Sequence, residues 1–169
     1  KIDHLIIGGG MAYTFIKAQG GSIGDSLCED DYLQYTKDLL EQAADKNVQI
    51  HLPIDVVCTD DFDNNAKSQI TAIGSIPEKW MGLDSGPESI AEFAAVIAQS
   101  KTILWNGPVG VFEFENFANG TIALGEAIAQ STLKGAFSLV GGGDSVAAVK
   151  QFGFEDRVSY VSTGGGAML

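Results

Sequence analysis

Short apolar runs alternate with segments of helical periodicity along the whole chain. Runs of four or five apolar residues are typical of buried strands, whereas apolar residues three and four positions apart indicate helices. The pattern predicts strands over residues 4–7, 48–52, 56–59, 69–73, 102–105, 136–140 and 158–161. It predicts helices over residues 11–19, 30–46, 89–98, 118–131 and 144–152. This alternation predicts an α/β fold with a largely parallel sheet, because parallel strands need crossover connections.

The stretch between residues 60 and 80 breaks this pattern. It is mostly polar, and its only strand-like piece is the one over residues 69–73. Polar stretches without periodicity are typical of loops. We therefore expect a surface excursion there.

Three glycine triplets, each of which follows a predicted strand, are the first sign of a binding site. They occupy residues 8–10, 141–143 and 164–166. Glycine lets backbone N–H groups approach an anion closely, and a helix that follows adds the positive end of its dipole. Because parallel strands end at one edge of a sheet, we expect the triplets to converge on one phosphate-bearing ligand.

The standard phosphate-binding fingerprints are absent from the sequence. No G-x-x-x-x-G-K-[ST] motif occurs, and G-x-G-x-x-G fails twice because Tyr13 and Val146 stand at its third glycine. Asp144 and Ser145 follow the second triplet where a helix is predicted to begin. Asp144 is either a helix cap or a carboxylate that faces magnesium on bound phosphates. The residues alone leave both interpretations open.

Composition and charge restrict the class of protein. The 169 residues fit one domain, and 45% hydrophobic residues with 19% charged ones are typical of a soluble globular chain. A net charge of -12, with Arg157 the only arginine, argues against nucleic-acid and anionic-membrane partners. The isolated Cys28 and Cys58 predict free thiols in a cytoplasmic protein. The start at Lys1, directly before a strand, leads us to expect a fragment of a longer protein.

Seven motifs in order along the chain resemble the phosphoglycerate kinases. They are L-I-I-G-G-G-M-A at residues 5–12, L-P-I-D-V-V at 52–57, W-M-G-L-D at 80–84, W-N-G-P at 105–108, V-F-E-F-E at 111–115, G-G-G-D-S at 141–145 and S-T-G-G-G-A at 162–167. The resemblance implies that residues 1–169 are the nucleotide-binding C-terminal domain, truncated at both ends. It implies a three-layer, Rossmann-like α/β domain of the glycolytic enzyme that moves a phosphoryl group from 1,3-bisphosphoglycerate to ADP.

The resemblance also assigns roles to individual residues. Those implied to bind the nucleotide are Gly8, Gly9, Gly82 and Leu83 at the adenine, Asn106 and Pro108 beside base, ribose and phosphates, Glu113 at the ribose with Phe112 close to it, and Gly141, Gly142, Gly143, Asp144 and Ser145 at the phosphates. Asp144 is implied to act through Mg²⁺. Gly164, Gly165 and Gly166 are implied to open a last helix towards the transferred phosphoryl group.

The chain also departs from the family pattern. The family's N-terminal domain, with the basic patch that binds the 3-phosphoglycerate side, is not among these residues, and neither is the lysine-bearing G-A-K-V segment expected just before Lys1. Met168 stands where many members have serine. We therefore expect that this chain alone does not turn over, and by resemblance that the intact enzyme is a monomer.

Two other functional classes remain as alternatives. One is a non-catalytic nucleotide-binding module, which the sequence upstream of Lys1 would decide. The other is a dinucleotide dehydrogenase of similar fold, which the two failed G-x-G-x-x-G fingerprints disfavour.

Overall fold

The computed structural model describes residues 2–162 and residue 164. The strands are β1 (His4–Ile6), β2 (Ser22–Ile23), β3 (Gln49–His51), β4 (Asp55–Thr59), β5 (Ser68–Ala72), β6 (Ser75–Ile76), β7 (Met81–Ser85), β8 (Thr102–Asn106), β9 (Phe137–Gly141) and β10 (Tyr160–Val161). The α-helices are α1 (Gly10–Ala18), α2 (Leu33–Asp45), α3 (Pro87–Gln99), α4 (Asn119–Leu133) and α5 (Gly143–Gln151). Single turns of 3-10 helix cover Asp30–Tyr32, Glu115–Phe117 and Glu155–Arg157.

Most of the strands pair in parallel. β1 pairs with β3, β2 with β6, and β9 lies between β8 and β10. Helices make the connections, with α4 between β8 and β9 and α5 between β9 and β10. The predicted α/β fold with mostly parallel strands is confirmed.

An antiparallel sheet replaces the surface excursion that we expected after residue 60. β4 lies between β5 and β7 and is antiparallel to both. β5 confirms the strand predicted over residues 69–73, and it is an edge strand with mostly exposed side chains. β7 contains Gly82 and Asp84, two residue types that are depleted in strands. β7 therefore has no clear local sequence signal and was not predicted.

Two large clusters of buried apolar side chains form most of the core, beside a small third one. One joins α3, α4 and α5 to the sheet of β8 and β9, with Phe93, Trp105, Ile128 and Val140 at its centre. The other packs α1 against β4 and includes Phe15 and Val56, among others. Within the part of the chain that the structure describes, no helix has both the length and the apolar character needed to cross a membrane.

One face of the β8–β9–β10 sheet is open. Burial alternates along β8, so that Trp105 is buried and Leu104 is 53% exposed. The registers place Phe137 of β9 and Tyr160 of β10 on the same face as Leu104, and both are at least half exposed. Parallel sheets are usually covered on both faces, so this apolar face is an unusual feature of the chain.

Candidate functional site

A cavity of about 460 Å³ lies between the start of α1, the strand β7 and the loop that follows β8. Its walls are Gly8–Gly10, Met81–Leu83 and Pro108–Val111, and Tyr13, Asp25, Leu27 and Phe62 complete the lining. This volume falls within the range of small-molecule sites, roughly 300–1,000 Å³. The cavity is mostly apolar, which suits a flat aromatic ligand such as a nucleotide base.

Glycines form the cavity walls because larger residues do not fit there. A Cβ on Gly8 would lie 2.6 Å from Cγ1 of Val109, and one on Gly82 would overlap the hydroxyl of Tyr13. Gly9 has a φ of 60°, and its Cβ would lie 2.9 Å from the carbonyl oxygen of Pro108. Backbone packs directly against backbone here, so the first triplet and residues 108–109 form one rigid wall.

The loop after β8 is fixed at several points. The indole Nε1 of Trp105 donates a hydrogen bond to the carbonyl of Gly107 at 2.8 Å. The N–H of Gly107, whose φ is 103°, donates to the hydroxyl of Ser145. Further along, the N–H of Val111 donates to the carbonyl of Leu83 at 2.8 Å. The loop therefore runs as one anchored segment from the end of β8, next to α5, to the cavity wall at β7.

The second triplet forms an open cradle at the start of α5. Gly142 has a φ of 85°, and a Cβ on it would overlap Oδ1 of Asn106. Gly143 is exposed and its Cβ would meet nothing within 4 Å, while Asp144 is exposed in the first turn of the helix. Backbone N–H groups at a helix start with free space in front of them are the usual way to bind a phosphate.

Two of the candidate site residues are buried. Ser145 is fully buried, and its hydroxyl accepts the N–H of Gly107, so it holds the loop after β8. Phe112 is only 4% exposed and packs edge-on against Phe152, with ring centroids 6.3 Å apart. Burial of the apolar Phe112 ring in the core is favourable, while the neighbouring Glu113 is exposed.

The third triplet begins at the same sheet edge as the second. The N–H of Ser162 donates to the carbonyl of Val140 at 2.8 Å, which continues the pairing of β10 with β9. The N–H of Gly164 donates to the hydroxyl of Ser162 at 3.1 Å. Gly164 therefore lies near the carboxyl ends of β9 and β10, while Gly165 and Gly166 lie outside the described residues.

A buried carboxyl group, for which no role was predicted from the sequence, lies under the cavity. Asp84 is 3% exposed and accepts hydrogen bonds from the backbone N–H groups of Ser85 and Gly120. Burial raises the pKa of Asp84 to about 7, although both N–H groups act in the opposite direction. Burial, followed by the proximity of the ionisable groups of Asp84 and Cys58, raises the pKa of Tyr13 well above its ordinary value. The Tyr13 hydroxyl is therefore neutral at physiological pH.

The side chains at the cavity mouth were not predicted from the sequence either. Leu27 is 78% exposed, and Phe62 is 57% exposed with its ring 5.0 Å from that of Phe114. Asn64, in the same loop as Phe62, accepts the backbone N–H of Asn116 at 3.0 Å and the side-chain amide of Asn116 at 2.7 Å. The only sequence signal was a large apolar residue isolated within a polar stretch.

The side chains alone do not build a metal cage in the part of the chain that the structure describes. No three histidine, cysteine, aspartate or glutamate side chains there are grouped as metal ligands. Mg²⁺ in nucleotide sites is usually held by one or two carboxylates together with phosphate oxygens and water. The exposed carboxylate of Asp144, beside the open cradle, fits that kind of site.

Comparisons with known proteins agree on one family. The family model described as phosphoglycerate kinase matches residues 1–169. A phosphoglycerate kinase of Porphyromonas gingivalis is 58% identical over 169 residues, which is 100% of this chain and 40% of that protein. One of Clostridioides difficile is 54% identical over 169 residues, again 100% of this chain and 42% of that protein.

Solved structures give the same result. The structure of phosphoglycerate kinase from Coxiella burnetii matches with a TM-score of 0.94 and 49% identity, over 99% of this chain and 42% of that one. The enzyme from Pyrococcus horikoshii matches with a TM-score of 0.78 and 28% identity, over 98% of this chain and 41% of that one. The chain thus spans about 40% of the length of the relatives it matches. It belongs to the phosphoglycerate kinase family.

Proposed function

We propose that residues 1–169 are the nucleotide-binding, C-terminal part of a phosphoglycerate kinase, and that ADP or ATP binds with its base in the cavity and its phosphates over the start of α5. The single observation that supports this most is the anchored loop after β8. Its residues Pro108–Val111 line the cavity, while its residue Gly107 is bonded to Ser145 of α5. One rigid segment thereby joins a base-sized cavity to a phosphate cradle.

Each part of the nucleotide has a matching feature. The apolar walls at Gly8, Gly9, Gly82 and Leu83 suit the adenine, and the absence of side chains on the glycines lets the base approach the backbone closely. The exposed carboxylate of Glu113, which follows the cavity wall, suits the ribose hydroxyls. The cradle at Gly141–Gly143 supplies N–H donors to the phosphates, with Asn106 and Pro108 between the two ends.

The proposed reaction is the reversible transfer of a phosphoryl group from 1,3-bisphosphoglycerate to ADP, which gives ATP and 3-phosphoglycerate. Such a transfer depends mainly on in-line positioning and on stabilising negative charge at the phosphate oxygens. The start of α5 would do this at the nucleotide side, and the segment at Gly164–Gly166 would face the transferred group. Mg²⁺ held by Asp144 and the nucleotide would neutralise part of the charge on the phosphates.

We also propose that this chain alone does not turn over. The acyl phosphate carries its own negative charges, and a site for it needs cationic side chains. The only arginine, Arg157, is already paired with both carboxylate oxygens of Glu126, at 2.7 and 2.8 Å. In this proposal the basic phosphoglycerate site lies in the remaining part of a longer, monomeric and cytoplasmic enzyme. The free thiols of Cys28 and Cys58 are compatible with that compartment.

A calorimetric titration of the 169-residue chain with Mg-ADP tests the proposal. We expect saturable binding that weakens about tenfold in Asp144→Ala and in Glu113→Ala, because each variant removes a charged partner of the nucleotide. Glu41→Ala, which removes an exposed carboxylate of α2, is the matched control and should bind like the unaltered chain. A folded chain that takes up no Mg-ADP would overturn the proposal. A chain that turns over both substrates at a rate usual for enzymes would overturn the expected inactivity.

A further inference from the structure

The chain has two histidines, and the fold brings their rings together. His4 is the first residue of β1, and His51, 47 positions later, is the last residue of β3. Nδ1 of His4 lies 3.1 Å from Nε2 of His51, and the ring centroids are 5.3 Å apart. Two imidazole nitrogens therefore face each other across a parallel strand pair.

The register of β1 and β3 puts both imidazoles on one face of these strands. His4 pairs with Gln49, and Ile6 pairs with His51. Residues two positions apart on a strand share a face, so all four side chains lie on the same side. Ile6 packs against the buried cluster that contains Phe93 of α3. The two histidines thus lie on the face that α3 covers.

Glu92 of α3 decides which nitrogen of His51 is free to bind. Its Oε1 lies 3.3 Å from Nδ1 of His51. An ionised carboxylate only accepts hydrogen bonds, so the proton of a neutral His51 sits on Nδ1 and the lone pair on Nε2. The His51 side chain is 14% exposed, so packing also restricts its ring. His51 therefore presents a lone pair of fixed direction to His4.

This arrangement has the chemistry of a histidine metal ligand. Histidines that bind a metal ion usually donate their other ring N–H to a carboxylate, a carbonyl or water, which fixes the tautomer and the ring orientation. Neutral imidazole nitrogens suit Zn²⁺. Two such nitrogens on one Zn²⁺ lie roughly 3.3–3.4 Å apart, because the Zn–N bonds are about 2.0–2.1 Å long and the geometry is tetrahedral. The observed 3.1 Å is close to this separation.

We propose that Nδ1 of His4 and Nε2 of His51 bind one Zn²⁺, with water in the remaining coordination positions and Glu92 holding the ring of His51. His4 is exposed, so its ring has room to turn towards the ion, with its proton on Nε2. Glu92 contacts the other nitrogen of His51 and is not a ligand. The site thus has two protein ligands, which agrees with the lack of a three-residue ligand group in the described part of the chain.

A zinc titration of the 169-residue chain, followed through the ring nitrogens by ¹H–¹⁵N NMR, tests the proposal. The histidine spectrum is simple, because it contains two imidazoles only. We expect both rings to respond together and to saturate at one Zn²⁺ per chain, with the metal on Nδ1 of His4 and on Nε2 of His51. Binding to one ring alone, to the opposite nitrogens, or at two different zinc concentrations would overturn the proposal.

Two variants test the role of Glu92. Glu92→Gln should weaken zinc binding about tenfold or more, because loss of the carboxylate behind a histidine ligand has effects of that size. Glu88→Gln removes an exposed carboxylate from the first turn of the same helix and should bind zinc like the unaltered chain. Equal affinities in both variants would show that Glu92 does not hold the ligand.

A variant of the exposed ligand and a second metal complete the test. His4→Gln should abolish the response of His51 at zinc concentrations that saturate the unaltered chain. Mg²⁺ at the same concentrations should leave both imidazoles unchanged, since it prefers oxygen ligands. If Mg²⁺ acts like Zn²⁺, the net charge of -12 merely attracts cations and the proposal is wrong. No nucleotide takes part in these measurements, so their failure would leave the proposed function standing.

Discussion

The carboxylate of Asp84 accepts the backbone N–H of Gly120 at 2.8 Å, and both residues are buried. Asp84 lies on β7 directly after Leu83, a wall of the cavity, and Gly120 lies in the first turn of α4. A Cβ on Gly110 or Gly120 would overlap Oδ1 of Asp84, so two glycines make room for this carboxylate. The N-terminal end of α4 thus meets the carboxyl group of Asp84 directly under the proposed nucleotide site.

The first prediction concerns how Asp84 makes stability depend on pH. Its pKa of about 7 exceeds that of an aspartate in an unfolded chain, about 3.9, so the folded state binds the proton more tightly. The stability from this group is present at low pH and is lost as the pH rises through 7. Between pH 5 and pH 8, the free energy of unfolding should decrease more in the unaltered chain than in Asp84→Asn. The difference between the two decreases should be on the order of 2 kcal/mol. Urea unfolding at several pH values measures this.

Glu126 provides the matched control for this pH series. The guanidinium of Arg157, followed by the amide of Gln130, lowers the pKa of Glu126 to about 2. A lowered pKa contributes stability that is lost only as the pH falls below the ordinary range of a glutamate. Glu126→Gln should therefore give a curve parallel to that of the unaltered chain between pH 5 and 8. If the curve of Asp84→Asn is also parallel to that of the unaltered chain, Asp84 is not the source of the pH dependence and the prediction is wrong.

The second prediction separates binding from stability at Gly143. A Cβ there would meet no protein atom within 4 Å, and alanine is favoured over glycine in a helix by roughly 0.5–1 kcal/mol. Gly143→Ala should therefore keep or raise the melting temperature. Its methyl group would occupy the space of the phosphates, so Mg-ADP affinity should fall at least about tenfold, or about 1.4 kcal/mol. Unchanged affinity would show that the phosphates do not lie there.

The third prediction is the opposite result for the same substitution at Gly82. A Cβ there would overlap the Tyr13 hydroxyl and lie 2.8 Å from Cγ2 of Val56, and both of these side chains are buried in the core. Overpacking of this kind costs typically about 1–3 kcal/mol. Gly82→Ala should lower the free energy of unfolding by about that amount in urea, without any ligand present. If the variant is as stable as the unaltered chain, Tyr13 and Val56 can move aside at little cost in free energy, which contradicts this prediction.

The fourth prediction concerns the hydrogen bond from the N–H of Gly107 to the hydroxyl of Ser145. Ser145→Ala leaves the N–H of Gly107 without its acceptor, which costs about 1–3 kcal/mol when the donor stays buried. Because the same bond positions the loop after β8, Mg-ADP binding should weaken together with stability. Urea unfolding and calorimetry on the same sample measure both effects. Full stability in Ser145→Ala would show that this bond contributes little.

The fold class followed from the sequence, whereas parts of the site did not. The alternation of apolar runs and helices predicted β8, α4, β9 and α5 to within two residues at each end, because local periodicity encodes such elements. Local patterns do not encode β7, which is buried through contacts with residues far away in the chain. Only the family resemblance predicted that Gly82 and Leu83 of β7 belong to the binding site.

The remaining differences have similar physical reasons. Ser145 follows a glycine triplet, a position typical of a ligand-binding hydroxyl. Its hydroxyl also accepts a hydrogen bond from the N–H of Gly107, 38 positions away, which local sequence does not predict. Asp25, Leu27 and Phe62 reach the cavity from loops whose paths depend on tertiary contacts. Sequence periodicity contains no information about such paths, so none of the three was predicted.

A residue-resolved NMR titration of the chain with Mg-ADP, repeated with Mn²⁺ in place of Mg²⁺, tests most directly whether one nucleotide spans the cavity and the start of α5. We predict that the amide signals of Gly8–Gly10, Gly82, Leu83 and residues 109–113 shift together with those of residues 142–144. We also predict that Mn²⁺ broadens the Asp144 signal most strongly among the described residues. Shifts at the cavity without shifts at the start of α5, or strongest broadening elsewhere, would contradict one nucleotide that spans both.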